Sequence, residues 1–139
     1  MATVTTISND VTRIFKSTEV LTAGTTLTNA DSGKVVFLNA AGGGTVTLPS
    51  LKAGSNFKFI IGATEPTTAW VIDSAEGDNI DGVIVVNGAS VAAAEEDQIN
   101  FVASTAVAGD FIELECDGSN WFVSGIGSAS GSITATDPS

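Results

Sequence analysis

Short runs that alternate apolar and polar residues recur along this chain, and turn-forming residues close each one. Successive side chains of a strand point to opposite faces, so a period of two argues for half-buried β-strands and against amphipathic helices. Thr45-Val46-Thr47-Leu48 alternates cleanly until Pro49, which cannot donate to a sheet ladder. Asn56-Phe57-Lys58-Phe59-Ile60-Ile61 sets Phe57, Phe59 and Ile61 on one face. Lys34-Val35-Val36-Phe37-Leu38 reads as a short strand buried on both sides. Gly82-Val83-Ile84-Val85-Val86 runs into Asn87-Gly88, the strongest two-residue hairpin signal. Ile99-Asn100-Phe101-Val102 and Phe111-Ile112-Glu113-Leu114-Glu115 follow, with Ala108-Gly109-Asp110 between them. Asp117-Gly118-Ser119-Asn120 then turns the chain into Trp121-Phe122-Val123. Val91-Ala92-Ala93-Ala94-Glu95-Glu96-Asp97 fits either a single helical turn or a loop.

The residue supply agrees with this pattern. Gly, Ser, Thr and Asn abound, whereas Leu, Lys, Glu and Arg, the common helix formers, are scarce. With 139 residues, 43% of them hydrophobic, the chain can fill one core. The expected fold is therefore all-β: a single antiparallel β-sandwich or jelly-roll-like domain. Its expected limits are residues 25–125. An extended N-terminal arm precedes it over residues 1–24, and a flexible Gly/Ser-rich tail follows over 126–139.

Charge is unevenly distributed. Residues 1–58 hold all five basic groups against three acids, while residues 59–139 hold thirteen acids and no base. A body this acidic repels phosphate backbones and anionic membranes, so neither nucleic acid nor membrane is an expected partner. No apolar run is long enough to span a bilayer, and the N-terminus lacks the basic and apolar regions of a signal peptide. The single cysteine, Cys116, rules out an internal disulfide and reads as a small buried hydrophobe.

Catalytic chemistry finds little material. The chain has no histidine and no tyrosine, which removes Ser-His-Asp and Cys-His arrangements and imidazole metal sites. Gly42-Gly43-Gly44 lacks the Lys-Ser/Thr that a phosphate-binding loop requires, and reads as a loop apex. Glu113 and Glu115, with Asp110 just before them, are the one carboxylate pair suited to acid–base work. Plain alternation explains them too: Ile112, Leu114 and Cys116 face inward while Phe111, Glu113 and Glu115 face out. Asp73, Glu76, Asp78 and Asp81 form the only cluster resembling a calcium site. Their spacing departs from the helix–loop–helix pattern, and a solvated acidic loop is the simpler reading. The chain is read as a non-enzyme without cofactor or metal.

Three stretches carry a resemblance. Leu27-Thr28-Asn29-Ala30-Asp31-Ser32-Gly33-Lys34 leads into VVFLNAAGGGTVTLPS; LKAGSNFKFIIGA and AGDFIELECDGSNWFVSG follow. Together, from Leu27 to Gly125, they resemble a β-module of tailed-phage virion proteins, chiefly capsid decoration (cement) proteins and also tail fibres and spikes. The resemblance implies a structural subunit on the outer surface of a capsid, with the major capsid protein and further copies of itself, as a homotrimer, for partners. A saccharide-binding fibre or spike module is the alternative. It transfers no catalytic residue. On this reading Arg13, Ile14, Phe15 and Lys16, the amphipathic part of the arm, contact the shell. The same segment also fits the first strand of the sandwich. Phe57, Phe59, Trp121 and Val123 are the expected subunit-interface residues.

Overall fold

The computed structural model describes residues 15–77 and 79–138. Twelve strands carry the described chain: β1 (Thr18–Leu21), β2 (Thr25–Thr26), β3 (Val35–Leu38), β4 (Gly44–Thr47), β5 (Asn56–Ile61), β6 (Trp70–Asp73), β7 (Ile80–Val86), β8 (Ala89–Glu96), β9 (Gln98–Phe101), β10 (Phe111–Cys116), β11 (Trp121–Gly127) and β12 (Ile133–Thr136). Seven of them form one sheet in the order β1-β3-β5-β10-β11-β7-β8. The other five form a second in the order β12-β9-β6-β4-β2. The two sheets pack face to face around one apolar core, so the fold is an all-β sandwich.

The sheets are mixed, where alternation had suggested antiparallel pairing. Strands β1, β3 and β5 lie parallel in the larger sheet, and β2, β4 and β6 lie parallel in the smaller one. Residues 18–73 therefore wind as three successive coils, each giving one strand to each sheet. Consecutive coils come close where the chain turns between sheets. A Cβ on Gly24 would sit 2.5 Å from Thr45 O, and one on Gly44 would sit 2.6 Å from Gly24 N. After the coils the pairing is mostly antiparallel: β7 and β8 make a hairpin, β9 returns beside β6, β10 pairs with β5, and β11 inserts between β10, to which it is antiparallel, and β7, to which it is parallel.

Several expected elements stand where the sequence placed them. Asn87 and Gly88 close the β7–β8 hairpin with φ of 49° and 77°, the left-handed pair that a tight hairpin turn requires. Asp117–Asn120 turns β10 into β11, with Cys116 opposite Trp121. Residues 42 and 43 lie in the turn before β4. The element limits differ from expectation at three places. Residues 18–21 form β1, so the sandwich begins inside the stretch read as an arm. Residues 133–136 form β12 against β9, inside the stretch read as a tail. Residues 91–96 belong to β8; ladder bonds to β7, set up by the Asn87-Gly88 turn, override the helical preference of the alanines.

In the larger sheet Val36, Phe59, Ile112, Gly125 and Ile84 stand side by side on the inner face, and the four with side chains are fully buried. From the other sheet Trp70, Ile72, Ile99 and Phe101 complete the core, also fully buried. Each large side chain removed from water in this way contributes about 1.5–3 kcal/mol.

Candidate interaction surface

The outward face of the larger sheet departs from the usual polar exterior. Strand register places Val20, Phe37, Ile60, Phe111, Ile126 and Val85 next to one another, one from each of six adjacent strands. At the usual strand spacing this apolar row is about 24 Å long. Phe37, Ile60 and Phe111 are half-buried, whereas Val20, Ile126 and Val85 are 59%, 53% and 43% exposed. Val83 and Phe122, on neighbouring rows of β7 and β11, add further exposed apolar surface. Large exposed apolar patches mark interaction sites more often than scattered apolar residues do.

Charge borders the row on one side. Lys58 on β5 faces Glu113 on β10, with Nζ 3.5 Å from Glu113 Oε1, and Nζ lies 4.5 Å from the Phe111 ring centre. Glu115 follows on the same face, opposite Asn56 and Phe122. These residues line a groove of about 410 Å³ between Lys16, Val35, Lys58, Glu113, Glu115 and Phe122.

Lys34 fixes the groove's edge. Its ammonium bridges Glu19 at 2.8 Å and Asp31 at 2.9 Å. The Lys34 hydrogen bond, followed by one from the Thr28 N–H, holds the Asp31 carboxyl below its ordinary range. The same two carboxylates raise the Lys34 ammonium above its usual value. In the β10–β11 turn, N–H donation from Asn120 and Ser119 lowers the Asp117 carboxyl.

The outer face of the smaller sheet is polar by contrast. Asn100 donates to Thr136 and Thr134, and Gln98 donates to Asp73. Its polar side chains largely satisfy one another, which leaves a ladder rather than a cleft.

The expected site residues fall into distinct environments. Arg13 and Ile14 lie outside the described residues. Phe15 is 84% exposed, and Lys16 is exposed at the groove. Phe57, Phe59, Trp121 and Val123 are at most 4% exposed within the chain's own core, so they cannot supply a subunit interface. Their strand faces point toward the opposing sheet, and the residues between them point out. Trp70 and Trp121 are both fully buried, which removes the two aromatics suited to stacking on a sugar.

The carboxylate candidates separate as well. Glu113 and Glu115 do share a face, but Glu113 is engaged by Lys58. Asp110 is 4% exposed and accepts N–H bonds from Val107 and Ser128, a structural arrangement. Asp73 lies on β6 of the smaller sheet and accepts from Gln98. Asp81 lies on β7 of the larger sheet and accepts from the Glu95 N–H and Asn120. Asp78 is outside the described residues, and no group of three metal-ligating side chains occurs among the described residues. Cys116 is free and buried.

The outward apolar row was not read from the sequence. Its signal was present as consecutive apolar residues, in Val83-Ile84-Val85-Val86 and Trp121-Phe122-Val123, which must place apolar side chains on both faces of a strand. Comparison with protein-family models, curated proteins and solved structures found no match.

Proposed function

We propose that this chain is a structural virion protein that decorates and cements the capsid shell of a tailed phage by bridging neighbouring subunits without covalent bonds. The observation that supports this reading best is the outward apolar face of the larger sheet. Seven strands at the usual spacing, averaging six residues in length, give that face an extent of about 30 by 20 Å. This is about three-quarters of the roughly 800 Å² that each partner contributes to a stable protein interface. The resemblance of residues 27–125 to decoration proteins names the partners: the major capsid protein and two further copies of the chain, on the outer surface of the virion. With Phe57, Phe59, Trp121 and Val123 buried, Val83, Val85 and Ile126 become the contact residues. Arg13, Ile14, Phe15 and Lys16 extend the contact to the shell. The chain carries out no catalysis on this reading, and Glu113→Gln/Glu115→Gln causes no loss of binding.

Binding of the purified protein to undecorated capsids, followed by electron microscopy of the particles, tests the proposal. Copies distributed over the shell are the expected result, with binding lost in Val85→Lys/Ile126→Lys and light scattering giving three times 14.0 kDa for the free protein. A handful of copies confined to the tail would replace it with the fibre or spike reading.

A further inference from the structure

We propose that, in the free protein, the groove beside the apolar row is the docking site of the chain's own N-terminal segment, residues 1–14. This concerns the isolated chain and does not depend on the capsid reading. The chain enters β1 at the groove: Ser17 O accepts the Val35 N–H at 2.9 Å, and Lys16, one residue earlier, lines the groove itself. Whatever precedes Lys16 therefore starts from the groove's rim, at a high effective concentration and without the entropic cost of a second molecule.

Charge selects the contact. Lys58 engages Glu113, while Glu115 has no ion pair among the described residues. Residues 1–14 carry one basic side chain, Arg13. From β1 to β10 is three strand spacings, about 14 Å. Arg13 lies three residues before Lys16, about 10 Å of extended backbone, and its own side chain covers the rest. Arg13 thus reaches Glu115, where a guanidinium matches a carboxylate with two parallel N–H bonds.

Pattern supports the same placement. In an extended segment Arg13, Val11, Asn9 and Ile7 share a face. With Arg13 beside Glu115 on β10, Val11 falls about 7 Å farther on, past Phe122 of β11, the residue directly opposite Glu115. The segment brings apolar cover to apolar surface and a cation to the unmatched carboxylate.

A nitroxide on Thr12→Cys tests the docking by the broadening that it causes in backbone amide resonances; native Cys116 is buried and stays unlabelled. The expected result is broadening centred on Glu113–Glu115 and Phe122–Ser124. Glu115→Arg should reduce it about two- to fivefold, as for loss of an exposed ion pair, and adding Arg13→Glu should restore it. Both substitutions lie on the surface or ahead of β1, so the fold is retained for comparison. Absent broadening, broadening elsewhere, or no response to charge reversal would overturn the proposal. Broadening that appears only when spin-labelled chains are mixed with isotope-labelled ones would also overturn it, because the segment would then occupy a neighbouring copy.

Discussion

Lys58 sits diagonally across from Phe111, its ammonium 4.5 Å from the ring centre, while its direct partner across the strands is Glu113. The side chains of Lys58 and Glu113 are 30% and 50% exposed, so water and salt screen the ion pair, which contributes at most about 1 kcal/mol. The ring contact contributes about 0.5–1 kcal/mol and is less sensitive to salt. Lys58→Ala should therefore lower the unfolding free energy by about 1 kcal/mol, and Glu113→Gln by clearly less. Urea titrations of the two variants compare them directly. Equal losses would mean that the ion pair dominates.

Gly82 on β7 has a φ of 141°, and a Cβ built there would collide with the Val123 carbonyl of β11. The register shift between Ile80 and Gly82 bends β7 at the same point. Gly82→Ala therefore combines backbone strain of about 1–3 kcal/mol with a forced separation of two paired strands. Gly88→Ala, in the hairpin turn at φ 77° with nothing within 4 Å, carries the strain alone. Thermal unfolding should show a markedly larger fall in Tm for Gly82→Ala than for Gly88→Ala.

Asp110 is buried and ties two loops together, Oδ2 to the Val107 N–H at 3.0 Å and Oδ1 to the Ser128 N–H at 3.1 Å. Removing the carboxylate strands both donors, at about 1–3 kcal/mol for each that water cannot reach. Asp110→Ala should cost more than Asp110→Asn, which keeps one acceptor. Calorimetry of both variants checks the order; equal losses would place the effect in packing instead.

Acid should weaken the Lys34 cluster. Lys34 and the Thr28 N–H lower the Asp31 pKa in the folded chain. A lowered folded-state pKa contributes stability that is present above the unfolded value and lost as pH falls through the folded one. Asp31→Asn should thus be less stable than the parent at neutral pH, with the difference closing below about pH 4. Denaturant titrations across pH 2.5–7 measure it, and a gap that stays constant would refute the assignment.

The strands were legible because alternation and turn chemistry are local. Phe57, Phe59 and Ile61 alternate into the core as read, and Asn87-Gly88 turns as read. Partners were not legible. Alternation in Val35–Leu38 fixes which side chains point inward, but not that β3 lies parallel to β1 and β5, since parallel neighbours are joined through long connections. Trp121 and Phe122 illustrate the same limit at the candidate surface. Sequence places them on opposite faces, yet only the opposing sheet decides that Trp121 is the buried one and Phe122 the exposed one.

Hairpin β7–β8 reaches the larger sheet only through β11, a strand synthesised after it. As the chain leaves the ribosome, the three coils can close once residue 73 has emerged. The hairpin has no place in its sheet until residues 121–127 arrive. In that interval Ile80, Ile84 and Val86, all destined for the core, remain in water beside unpaired strand edges. Translation that stops before Trp121 therefore leaves closed coils trailing an adhesive hairpin, a substrate for chaperones and proteases rather than a smaller version of the sandwich.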